Sequence, residues 1–185
     1  MKKLINRMND IETHRLILRK IRVSDAEDMY EYASIEALTE YLLWSPHESL
    51  EYTKSFLKFL TKKYKSGEYL DWGIEHKSEK KLIGTCGFSS LDVDNSKAEI
   101  GYVLSPAYQG NGYAAEAVKA VISFAFETLS LNRVEARVME GNDASCSLLE
   151  KLGMKLEGRG VEEIFVKDKF RNVLHYAILK EEYFR

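Results

Sequence analysis

The sequence predicts an α+β fold: a mostly antiparallel sheet of about seven strands with about four helices on its faces. Leu70–Glu75, Lys81–Leu91 and Lys97–Leu104 are consecutive strand-like runs joined by the turn-forming segments Lys77–Lys80 and Asp92–Ser96, so they read as an antiparallel meander. From Tyr113 the period changes, and Ala114, Ala117, Val118, Val121, Ile122, Ala125 and Leu129 trace one face of a helix. Arg133–Val138 then alternates strictly. A strand, a helix and a strand in succession make the sheet mixed.

Arg15–Ile21 mixes aliphatic and basic residues and reads as a first strand, leading to a helix capped by Ser24 with Glu27 completing a capping box. Tyr32–Gly67 is helical and aromatic-rich, broken at Ser45-Pro46; its second helix runs from Leu50 to Tyr64 with Phe56, Leu57, Phe59 and Leu60 on the buried side. Asn142–Leu152 is a short helix ended by Gly153, a glycine position at helix C-termini. Two strands, Met154–Val166 and Asn172–Lys180, close the chain. No repeat or linker divides it, and 185 residues suit a single domain, 1–185.

Apolar residues make up 45% and charged residues 30%, an ordinary globular balance. A net charge of -2 gives no basic footprint for nucleic acid. No apolar run approaches the roughly 20 residues of a membrane helix. Met1–Ile5 runs into Asn6-Arg7 rather than a signal-peptide core, so a cytoplasmic protein is expected. Cys86 and Cys146 read as buried thiols, and His14, His47, His76 and His175 lack the spacing of a metal site, so no metal is implied.

Chemistry concentrates in Ser105–Ala114. Two glycines directly before a helix turn several backbone N–H groups toward one point, where the helix dipole adds positive potential, and this reads as a pyrophosphate cradle, against the plainer reading of a structural loop. A Walker loop would need Gly-Lys-Ser/Thr, which is absent. The dinucleotide fingerprint fits by letter, with Gly110-x-Gly112-x-x-Ala115 and then Glu135 about 20 residues on. Its strand should end at the first glycine, however, whereas this one ends at Leu104 after an antiparallel meander.

Gln109-x-x-Gly112-x-Ala114 matches Gln/Arg-x-x-Gly-x-Gly/Ala, the acyl-CoA signature of the GNAT acetyltransferase superfamily, which the chain resembles. Asn142-x-x-Ser145-x-x-Leu148 through Met154 looks like its downstream helix. Thr13-x-Arg15-Leu16-x-Leu18-Arg19 and Ala98–Tyr102 are similar to the Rim-type branch that acetylates N-termini of ribosomal proteins. The resemblance implies a sheet splayed between a fourth strand, Lys97–Leu104, and a fifth, Arg133–Val138. Val103 and Leu104 would offer backbone groups to pantetheine, and a backbone N–H near Val103 would bind the oxyanion. The pyrophosphate would sit on Gly110, Asn111, Gly112, Tyr113 and Ala114 beside Gln109, with Asn142 reaching the pantetheine amides.

By the same resemblance, Ser145 protonates the leaving thiolate, unless it only bonds its helix N-terminus. Leu149 stands where other members have a tyrosine. Glu99 is the general-base candidate, against the plainer reading of a strand carboxylate paired with a nearby arginine; a related branch has glutamate where Arg137 stands. The implied reaction is direct transfer from acetyl-CoA to a primary amine, with Cys146 no nucleophile. At pH 7 an α-amine costs about 1.4 kcal/mol to neutralise and a lysine amine about 4.6, so a base-poor site suits a protein or peptide N-terminus.

Tyr41, Trp44, Pro46, His47, Trp72 and the loop Phe165–Arg171 are the acceptor-side candidates, most of the aromatics otherwise serving as core. Asn172 replaces an aspartate frequent in the ribosomal branch. The alternatives are a polyamine, antibiotic or amino-acid acceptor, a non-catalytic acyl-CoA-binding module and, more distantly, a nucleotide-binding oxidoreductase. The resemblance also implies a homodimer.

Overall fold

The computed structural model describes residues 9–66 and 70–185. The expected helix end at Gly67 and the reading of Met1–Arg7 lie outside the described residues. Eight strands are present among them: β1 (Ile11–Glu12), β2 (Leu16–Arg19), β3 (Leu70–His76), β4 (Lys81–Asp92), β5 (Lys97–Leu104), β6 (Arg133–Met139), β7 (Lys155–Val166) and β8 (Lys169–Leu179). Their hydrogen-bonded order is β1-β2-β3-β4-β5-β6-β8-β7. β5 and β6 pair in parallel, whereas β1–β2, β2–β3, β3–β4, β6–β8 and β7–β8 are antiparallel. The mixed, mostly antiparallel sheet is therefore present, with the short β1 as an extra strand. The residues group into two compact units, one comprising the described residues up to Phe88 with Tyr102–Val121, the other Ser89–Gly101 with Ile122–Arg185.

In the first unit, the expected Ser24 cap is replaced by a different device. The buried Arg19 guanidinium donates to both oxygens of Asp25 at 2.8 Å and from Nε to Glu75 at 2.5 Å. Asp25 also accepts the Arg22 N–H at 2.7 Å and occupies the cap position of α1 (Ala26–Ala33). The ion pair fixes the turn, so Ser24 has no capping bond to make. After the short α2 (Glu36–Thr39), α3 (Leu50–Ser66) packs Leu57 and Leu60 against Ile21, Met29, Tyr32 and Leu82. Phe59, expected inside, is 54% exposed. It lies two positions from Leu57, about 200° round the helix.

Helix α4 (Tyr113–Ser123) continues as a π turn, Phe124–Thr128. Ala117, Val118, Val121, Ile122 and Ala125 are fully buried, as their period predicts. The π turn inserts an extra residue, bringing Phe126 inward and leaving Leu129 half-buried.

In the second unit, β6 pairs with β5 over Arg133–Ala136 and with β8 over its whole length. β8 starts three residues earlier than expected because Lys167 and Asp168, at φ 51° and 59°, close a two-residue hairpin. Helix α5 (Asp143–Lys151) ends at Gly153, φ 85°, and α6 (Lys180–Tyr183) follows β8. Cys86 is buried as expected, and burial pushes its thiol pKa well up. Cys146 is only half-buried, a departure from expectation: α5 fully buries Leu149 alone, and its first turn stands at the surface.

Candidate active site

After β5, a single 3-10 turn, Pro106–Tyr108, delivers the chain to the predicted cradle. Gly110 and Gly112 adopt φ of 78° and 79°, where a side chain costs roughly 1–2 kcal/mol. The loop is exposed, and a Cβ at Gly110 would meet nothing within 4 Å. The first-turn amides of α4 have no partners within the helix. Gln109 to Ala114 thus come together at one helix N-terminus, with the backbone free to present N–H groups to an anion.

The loop is braced from two sides. Gln109 folds back, its Nε2 donating to the Leu104 carbonyl at 3.1 Å. Arg15 Nη1 donates to the Asn111 carbonyl at 2.9 Å, while Arg15 Nε reaches Glu116 at 2.7 Å and the Arg15 backbone N–H reaches it at 2.8 Å. Thr13 Oγ1 donates to the same carboxylate at 2.6 Å. The guanidinium carbon sits 4.2 Å from the centre of the Tyr113 ring, and Nη2 is 3.5 Å from where a Gly112 Cβ would be. Tyr113 is anchored by His76 Nε2 at 3.0 Å from its hydroxyl, and Tyr108 bonds Glu79. Burial alone would raise the Glu116 carboxyl, but the bonds from Thr13 and Arg15 outweigh it and hold it below the usual range. In sequence Arg15 shows only as a letter of a motif; its partner lies 101 residues away.

Gly84, also missed, seats the end of β5. A Cβ there would overlap the Val103 carbonyl oxygen and come within 3.0 Å of Leu104 Cα, while the Ser105 N–H donates to the Ile83 carbonyl at 2.7 Å. A glycine inside an aliphatic strand is the available signal. Val103 is half-buried and Leu104 buried.

In the second unit Asn142 caps α5, its side-chain oxygen accepting the Ser145 N–H at 3.2 Å. Ser145 stands in that first turn, half-buried. Glu99 has both oxygens engaged, one by Arg137 Nε and the other by Ser89 Oγ, each at 2.8 Å. Of the acceptor-side candidates, Trp72 is fully buried and its Nε1 donates to the Asn9 carbonyl at 3.1 Å. His47 is buried among Trp44, Tyr52 and Phe56 with Nδ1 2.8 Å from Thr53 Oγ1, and burial lowers its pKa. Tyr41 and Pro46 are half-buried, whereas Phe165 and Phe170 meet with ring centroids 4.9 Å apart and planes tilted by 60° beside the exposed β7–β8 turn. Among the described residues no His/Cys/Asp/Glu group is arranged to hold a metal, and no helix is long and apolar enough to cross a membrane.

A family model described as an acetyltransferase (GNAT) domain matches residues 15–155. "Uncharacterized N-acetyltransferase YoaA" of Bacillus subtilis is 39% identical over 80% of this chain and 84% of its own length. "Uncharacterized N-acetyltransferase p20" of Bacillus licheniformis is 34% identical over 95% and 99%. A crystal structure of a GNAT-family acetyltransferase from Bacillus anthracis superimposes with a TM-score of 0.83 at 29% identity, covering 94% of this chain and 100% of that one. More distant matches differ in acceptor. RimL, a ribosomal L7/L12 α-N-protein acetyltransferase solved with coenzyme A, shares the fold at a TM-score of 0.81 and 21% identity, covering 92% and 98%. Spermidine N(1)-acetyltransferase of Escherichia coli is 24% identical over 92% of this chain and 89% of its own.

Proposed function

The chain belongs to the GNAT acetyltransferase family, and from that premise we propose that it acetylates the α-amine of a protein or peptide N-terminus, of the ribosomal-protein type. It is an N-acetyltransferase, and its acyl donor is acetyl-CoA. In this reading the amides of Gly110, Asn111, Gly112, Tyr113 and Ala114, with Gln109 bracing the loop, hold the diphosphate. Val103 and Leu104 pair with pantetheine, and Asn142 meets its amides through Nδ2. Ser145 gives the leaving thiolate its proton. Acetyl passes directly to the amine.

The observation that favours an α-amine is the state of Glu99: both oxygens are partnered, so it is a poor acceptor for a proton held at a pKa near 10. A polyamine is the second reading, since spermidine enzymes are among the relatives. Several carboxylates of the second unit's sheet lend it no support, because they are matched by a base. Glu135 meets Lys97 and Arg133, Glu140 meets Arg159, Glu157 meets Arg133 and Glu99 meets Arg137.

Thiol release from acetyl-CoA with peptides bearing free N-terminal serine or alanine, against spermidine and an aminoglycoside, tests the reading. A kcat/KM at least about tenfold higher for a peptide at pH 7, roughly 1.4 kcal/mol, is expected. The reverse preference rejects it. Direct transfer further requires sequential kinetics and full turnover in Cys146→Ala; ping-pong behaviour would contradict it. The family's implied homodimer is tested by light scattering of the purified chain.

A further inference from the structure

With Glu99 held by Arg137 and Ser89, the acceptor's proton needs another destination. We propose that His175 takes it and that Glu163 positions His175; this rests on amine acetylation as read above. β8 places His175 as the cross-strand partner of Arg137 on β6 and of Gly158 on β7. Paired residues share a sheet face. His175 therefore continues the polar row that Glu99 and Arg137 begin, and its side chain is 40% exposed.

Its Nε2 lies 2.6 Å from a Glu163 oxygen. A carboxylate only accepts, so Nε2 carries the hydrogen and Nδ1 keeps its lone pair for a proton. The charged groups facing the imidazole are Glu163 from β7 and Arg137 from β6, with Glu99 of β5 behind Arg137.

The backbone around Glu163 is built for this contact. β7 bulges between Gly160 and Ile164, with Glu162 at φ 50°. The Glu162 N–H donates to Asn172 Oδ1 at 2.8 Å, and Asn172 Nδ2 donates to Glu140 at 2.7 Å. Arg159 grips Glu140 through two bonds of 2.5 and 2.8 Å, and Arg159 first, then Asn172, pull the Glu140 carboxyl down to about 2, so this brace stays ionised. A Cβ on Gly160 would overlap the Glu163 oxygen that meets His175, so alanine there pushes the Glu163 carboxylate out of this position.

The protons balance. An R–NH3+ acceptor gives one proton to His175 Nδ1, and the freed lone pair forms the C–N bond at the thioester carbon. As the C–S bond breaks, the second nitrogen proton reaches the thiolate through Ser145 Oγ–H. Amide and thiol leave, and His175 returns its proton to water.

The test compares rates across roughly pH 5.5 to 9 for the wild type, His175→Gln, Glu163→Gln, Gly160→Ala and the exposed control His14→Gln, using acetyl-CoA with an N-terminal serine peptide and with spermidine. His175→Gln should lower kcat about 100-fold with the KM for acetyl-CoA unchanged, and flatten the acid side of the kcat/KM profile. Gly160→Ala should lower kcat at least about tenfold, although both members of the pair remain. It also covers the case in which His175→Gln misfolds. Profiles of His175→Gln or Gly160→Ala that superimpose on the wild type overturn the proposal. A wild type that acetylates neither amine sinks the functional reading; one that does so unaffected by these changes sinks this inference alone.

Discussion

Arg15 combines three contacts in one guanidinium: it holds the loop through Asn111, grips Glu116 in the first turn of α4, and leaves Nη2 beside Gly112. Charge-assisted hydrogen bonds of this kind contribute about 1.5–3 kcal/mol each. Arg15→Ala should therefore raise the KM for acetyl-CoA about tenfold or more while kcat changes little, and Arg15→Lys should restore only part, since lysine lacks the planar fork. Initial rates at saturating acceptor decide this; an unchanged KM removes Arg15 from cofactor binding. Gly84→Ala drives a methyl into the Val103 carbonyl, and overpacking of about 1–3 kcal/mol should lower Tm by roughly 2–12 °C and raise the same KM. At this scale the sequence is least legible. The cradle glycines are readable because two left-handed positions before a helix demand them. Ser24, by contrast, loses its cap to Asp25 because Glu75, 56 residues from Arg19, completes an ion pair that no local pattern displays.

Among the elements, α4 is legible from its apolar stripe because Ala117, Val118, Val121, Ile122 and Ala125 are fully buried, while Ala114 and Leu129 at its ends are half-buried. The π turn is not, since nothing in Phe124–Thr128 departs from helical composition. The β7 bulge escaped for a related reason: Gly158 and Gly160 mark a strand that bends, but only the three-dimensional register shows Glu163 returned to His175. The contact of Thr13 and Arg15 with Glu116 ties the start of β2 to the cradle helix and makes a pH prediction. The folded Glu116 pKa lies below its ordinary value. The contact's stabilisation is thus complete above that ordinary value, about 4.3, and is lost as pH falls through the folded pKa. In thermal melts the wild type should lose more Tm than Glu116→Gln between neutral pH and about pH 3. Parallel losses would mean that the carboxylate contributes nothing.

For the whole molecule, the meander, the crossover through α4 and the terminal hairpin are legible because strand and helix periods are kept along the chain, and the GNAT model over residues 15–155 spans the first two. What composition does not carry is the acceptor. The candidate aromatics divide between core, such as Trp72, and surface, such as Phe165, according to packing alone. Nitrogen–proton correlation spectra recorded while coenzyme A is titrated in report directly on the amides held to grip its diphosphate. The resonances of Gly110, Asn111, Gly112, Tyr113 and Ala114 should move together and saturate with the ligand. If they keep their positions while another region of the protein shifts, the cradle is misassigned and the account of binding built on it is wrong.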